Sequence, residues 1–260
     1  MGNRMGSGDL NDANKPASTD KILVEAQRRL VEKQEPETAE LSPTAQRLLY
    51  ATNRGIFWLS RHWLLVFNIL AFIYVGGAFL APIMMHLGYP DTGNMIYRIY
   101  KPFCHQYPFR SWFLFGPEAH YPLEERISVL EMNKLSAFTG TPEMGYKVAF
   151  CQRDVGIYGA IFLGGLIYAL LRKRMALQPL PIWLYLAIAI LPMGLDGGIQ
   201  WLSYILWTLN LVPQPYETTP LMRTLTGALF GLGAIGVAYP NMEEFFQDVR
   251  NVLSQRYHWS

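Results

Sequence analysis

Two cysteines stand among residues that commonly share metal chemistry with them. Cys104 is followed by His105, and Cys151 lies three positions before Asp154. Thiolate, imidazole and carboxylate together suit zinc or another divalent metal in a four-coordinate site. The spacing of Cys151 and Asp154 lets one helical turn aim both side chains the same way. Adjacent Cys104 and His105 can serve one ion together only if the backbone turns sharply between them; otherwise one supports the ligands from behind. Cys104, His105, Cys151 and Asp154 are therefore the metal candidates.

The same thiols have a plainer use. Two cysteines make one bridge without remainder, and a Cys104–Cys151 disulfide closes a long loop, worth ~4 kcal/mol on the chain-entropy model. That pairing leaves His105 and Asp154 without a role. Arg153, Asp196 and Arg223 interrupt apolar surroundings, where ionisable groups are costly unless paired or wetted. They form either a buried charge network that pins helices together or part of a catalytic centre. In the second case Asp196, beside a glycine bend, or Asp154 is the candidate general base, with Gln200 orienting Asp196.

The elements that must position these residues are read from composition. Of 260 residues, 51% are hydrophobic, 14% aromatic and only 16% charged, against ~25% charged in an ordinary soluble domain. Twenty-two Lys and Arg against 20 Asp and Glu leave a formal charge of +2. That balance gives no basic field for nucleic acid. The apolar residues gather into blocks near the ~20 residues that cross a bilayer. Four such spans are expected, at about 63–85, 155–171, 180–207 and 224–239. Pro192, Gly194, Gly197 and Gly198 predict a kink in the third. The expected fold is all-α: an integral membrane four-helix bundle with interfacial amphipathic helices.

Residues 1–40 carry too little apolar surface to repay ordering and read as a mobile polar cytoplasmic segment, with one short amphipathic helix at Lys21–Glu35. Residues 41–240 form the membrane domain. Ser42-Pro43 begins a helix, as a capping residue followed by proline in the first turn. Residues 241–260 form an amphipathic helix lying on the membrane. Lys and Arg in short flanks prefer the cytoplasm. Arg47, Arg54 and Arg61 precede the first span, and Arg172, Lys173 and Arg174 follow the second. The chain is thus expected to cross a cell membrane with both termini on the cytoplasmic side and residues 86–153 as an external loop. That topology gathers both cysteines, Arg153, Asp154, Asp196 and Arg223 at one face. The aromatic residues of Tyr97–Phe109 give the loop a reason to fold back on the bundle, bringing the two sulfurs within ~4 Å. Gly227 and Gly231, like Ala160 and Gly164, are spaced for close helix contact in lipid. They offer a packing face within the bundle or towards other membrane subunits.

Four ordered segments resemble the motifs of a family: FCHQYPFRSWFLFG, FCQRDVGIYGAIFLG, LPMGLDGGIQ and MRTLTGALFGLG. It is the prokaryotic membrane family catalogued as domain of unknown function 2085, and the resemblance covers about residues 97–238. Cys104, His105, Gln106, Arg110 and Ser111 match its first motif; Cys151, Arg153, Gly156 and Tyr158 match its second. Asp154 stands where the family usually has another cysteine. The resemblance implies no activity, but it implies that these positions belong together. The sequence contains no P-loop, dinucleotide fingerprint, HExxH, GxSxG or CxxCH. Three classes stay open: a membrane protein holding a metal at this site, an accessory subunit stapled by a disulfide, and a metal-dependent hydrolase.

Overall fold

The computed structural model describes residues 42–123, 134–175 and 177–259. The polar segment 1–40, with the short helix expected in it, lies outside the described residues. The chain divides into two units, Met1–Gly55 and Ile56–Ser260. The described part of the first is helical from Pro43, and the Ser42 hydroxyl accepts the Ala45 N–H at 3.3 Å, as the cap residue at that position requires.

Five helices are found in chain order among the described residues. They are α1 (Pro43–His86), α2 (Pro90–Tyr100), α3 (Gln152–Leu171), α4 (Ile182–Thr208) and α5 (Pro220–Tyr257). All except α2 are long and apolar enough to cross a membrane. The chain is an all-α membrane protein. At 44 residues α1 holds about twice the ~20 residues that a span needs. The segment expected as a separate amphipathic helix, 241–260, continues α5 to Tyr257. Pro240 does not break it. The Gly236 carbonyl that Pro240 cannot bond accepts the Leu180 N–H at 2.9 Å instead. In α4 the backbone widens to a π-helical turn over Leu186–Ile190, immediately before Pro192, where proline breaks the α pattern.

The link from α1 to α3 corrects the expectation of a plain loop. It holds the amphipathic helix α2, a 3-10 turn at Pro108–Arg110, and a three-stranded antiparallel sheet. The strands are β1 (Ser111–Leu114), β2 (Gly140–Thr141) and β3 (Gly145–Cys151), with β3 in the middle. Ser111 pairs with Cys151 and Phe113 with Lys147, across an irregularity between Ser111 and Phe113. Val148, Ala149 and Phe150 are wholly buried. Phe150 packs among Tyr74 of α1, Tyr100 of α2 and Tyr158 of α3, with ring centroids 5.0–5.5 Å apart. This aromatic knot fastens the sheet to the bundle.

The tightest helix pair is α3 with α5. A Cβ on Gly156 would lie 2.2 Å from the Thr224 carbonyl oxygen; on Gly227, 2.4 Å from that of Arg153; and on Gly231, 2.3 Å from that of Ile157. The two backbones touch, which glycine alone permits. Gly227 and Gly231 are therefore covered by this chain's own α3. Their proposed role towards other subunits is corrected: the face is already used.

Candidate functional site

Cys151 ends β3 and is the N-cap of α3; Asp154 is the third residue of that helix. The Cys151 Sγ accepts the Asp154 N–H at 3.5 Å, and its thiol donates to Asp154 Oδ2 at 3.0 Å. The sulfur thus caps the first turn of α3, and the Asp154 carboxylate is held against the thiol. Cys104 approaches from the other side, on the segment between α2 and the 3-10 turn, with its sulfur 4.1 Å from that of Cys151. One ligand atom from each of Cys104, Cys151 and Asp154 fits within a 4.8 Å spread.

Several bonds seat Cys104 there. The Tyr97 hydroxyl donates to the Lys147 carbonyl at 2.5 Å, and the Tyr100 hydroxyl to the Tyr74 carbonyl at 2.6 Å. Gln106 has a left-handed backbone, φ 55°, which costs a residue with a Cβ. Its surroundings hold it: the Gln106 side chain donates to the Tyr97 carbonyl at 2.9 Å, while its carbonyl accepts Lys147 Nζ at 2.5 Å. Lys147 is fully buried, and burial pulls its ammonium down to about 7 despite the neighbouring Cys104. The Cys104 thiol lies below its ordinary range, chiefly because the Cys151 thiol hydrogen-bonds to it; the same contact, with burial, pushes Cys151 up. Cys104 is thus the more readily ionised sulfur of the pair.

His105 does not join this group. Burial alternates along the segment, with Cys104 and Gln106 inside and His105 exposed, so adjacent side chains leave in opposite directions. The His105 ring instead stacks on Tyr107, centroids 5.6 Å apart. It lines a cleft of about 400 Å³ with Arg110, Arg153, Gln200, Trp201 and Tyr204. Among the described residues no carboxylate lines that cleft. Arg153 and Arg223 each have a buried Nε without a hydrogen-bond partner among the described residues. The cleft is lined by aromatic and guanidinium side chains, with Arg110 already bound to Glu217 and Arg153 to Asp196.

The charged residues divide differently from the expected network. Arg153 pairs with Asp196, across α3 and α4. Arg223 pairs with Glu217 rather than Asp196. Glu217 also receives Arg110, the Tyr204 hydroxyl and, at 2.6 Å, the Gln200 amide. Arg223 reaches the Gln152 side chain at 3.3 Å. The reason is local: Glu217 is six residues before Arg223, on the turn into α5, where Asp196 is engaged by Arg153. Glu217 is the residue that the sequence reading undervalued. Its one signal is that it is the only acid between α4 and Arg223.

A four-span, all-α membrane protein with a sulfur–carboxylate group at one end of its bundle is thus the class defined. Residues 143–237 match the model of a family described as a predicted membrane protein, domain of unknown function 2085. The resemblance seen in the motifs is borne out over that segment. The chain is also similar to an uncharacterized protein of Methanocaldococcus jannaschii, with 29% identity over 149 residues. The aligned region is 55% of this chain and 74% of that protein. No solved structure matches the chain.

Proposed function

We propose that this membrane protein holds a divalent metal ion of the zinc type between Cys104, Cys151 and Asp154. The observation that carries the reading is the convergence of three ligand atoms from two distant segments within 4.8 Å. Two sulfurs each ~2.3 Å from one tetrahedral ion stand ~3.8 Å apart, close to the 4.1 Å found. A carboxylate third ligand leaves one position for water or a substrate, as in sites that act on their ligand. The hydrolase reading has less support, because Asp196 is engaged by Arg153 and is not free to act as a base. Protein purified without chelators is expected to carry one equivalent of metal by elemental analysis, and Cys151→Ser to hold it more weakly, giving it up to a chelator at lower concentration. Metal-free wild-type protein with two unreactive, oxidised thiols overturns the proposal in favour of a disulfide.

We also infer that the cysteine end faces outward in a cell membrane. The basic flank Arg172, Lys173 and Arg174 at the far end of α3 supports this, since such flanks stay in the cytoplasm. A cysteine placed at exposed Glu118 should react with an impermeant thiol reagent on intact cells. Reaction only after permeabilisation reverses the orientation.

A further inference from the structure

The far end of the bundle carries a second site with a different chemistry. Phe57 and Arg61 of α1, Arg172 and Lys173 at the end of α3, and Glu243 and Arg250 of α5 line a cleft of about 710 Å³. Four basic side chains and one carboxylate thus share one cleft. Glu243 is already committed: it receives Arg172, Arg250 at 3.3 Å and the Trp63 indole N–H at 3.2 Å. Arg250 is further fixed by donating to the Ser60 carbonyl at 2.6 Å. Among the described residues the lining holds more basic side chains than acidic ones. Arg172 and Lys173 alone would be an ordinary positive flank of a span. Arg61 and Arg250 arrive from two other helices, and their placement on the same wall makes the feature a concave cation site.

The neighbouring surface says what kind of anion fits. Leu163, Leu166, Ile167 and Leu170 are 41–73% exposed and recur at helical spacing, so one face of α3 is an apolar track. It ends at Leu171, immediately before Arg172 and Lys173. We propose that this cleft binds the phosphate headgroup of an anionic lipid, whose acyl chains lie along that track. Phosphate is recognised by clustered arginine and lysine, and a basic pocket between spanning helices is suited to lipid headgroups.

The test uses the full chain in neutral detergent, with phosphatidylglycerol, a diphosphate lipid of the cardiolipin type, phosphatidylcholine and inorganic pyrophosphate as probes. Native mass spectrometry reads binding, and melting without added lipid checks the fold. The two anionic lipids are expected to bind at least tenfold more tightly than phosphatidylcholine. Lys173→Gln, at an exposed position, should weaken them roughly fivefold without changing the lipid-free melting point. Lys173→Glu should weaken them further. Equal binding of phosphatidylcholine, or no effect of either substitution, overturns the proposal. Pyrophosphate binding that is lost on substitution, with lipid binding unaffected, makes the ligand a soluble phosphate compound and overturns the lipid assignment.

Discussion

Glu217→Gln is expected to lower the stability of the protein by ~3–5 kcal/mol, the usual cost of removing one partner from a buried ion pair. Glu217 is the sole carboxylate that Arg110 and Arg223 share, and the Arg223 side chain is only 3% exposed. Glutamine keeps the shape and can still accept one hydrogen bond, but it leaves two guanidiniums side by side without a counter-charge. The same change loosens the Tyr204 and Gln200 contacts, so the link between α4 and α5 weakens with it. For a chain of this size the loss corresponds to a fall in melting temperature of the order of 10 °C in detergent. Adding Arg223→Gln should restore part of that loss, because the orphaned cation is removed too. Losses that simply add would show that the two side chains are not coupled.

A second large effect is expected where α3 and α5 touch. Gly227→Val should cost ~3 kcal/mol or more, beyond ordinary overpacking of a core, because the obstacle is the Arg153 carbonyl rather than a side chain that can turn. The helices must separate, and α3 carries Cys151 and Asp154 in its first turn and cap. Metal binding should therefore weaken together with stability. Gly159→Ala is the control: nothing lies within 4 Å of its added methyl group. It should be neutral or stabilising by up to ~1 kcal/mol, the helix preference for alanine. Equal losses at Gly159 and Gly227 would mean that flexibility, and not contact, is what the glycines supply.

What could be read in the sequence follows from how strongly each feature repeats. The four spans stand out because lipid demands long apolar runs, and Pro192 marks the disturbance in α4 by its missing N–H. The return of Tyr97–Phe109 to the bundle was visible in its aromatic side chains, three of which, Tyr97, Tyr100 and Phe109, are buried to 8% exposure or less. The small sheet was not visible. In β3 the charged Lys147 occupies a fully buried position, so the alternation that marks a strand is masked by the residue that looks most exposed. Helix continuity from the fourth span into 241–260 depends on a distant contact, since the Leu180 N–H takes the Gly236 carbonyl that Pro240 leaves unbonded.

The candidate site was legible as a set of residue types but not as directions. Cys151 and Asp154 share a helical turn, and their spacing carries that information. Cys104 and His105 are adjacent, and only the seating of Gln106 decides that the cysteine turns inward and the histidine outward. Arg153, Asp196 and Arg223 stand out in the sequence as charges in apolar surroundings. Which partner each took depended on the turn that carries Glu217 to Arg110 and Arg223.

The most direct test of the central claim is X-ray absorption at the zinc edge on the full-length protein loaded with one equivalent of zinc. The account predicts two sulfur scatterers at ~2.3 Å, with oxygen or nitrogen neighbours at ~2.0–2.2 Å filling the remaining positions. Cys104→Ser should leave one sulfur in the shell. A shell of oxygen and nitrogen alone, or one unchanged by Cys104→Ser, would contradict it.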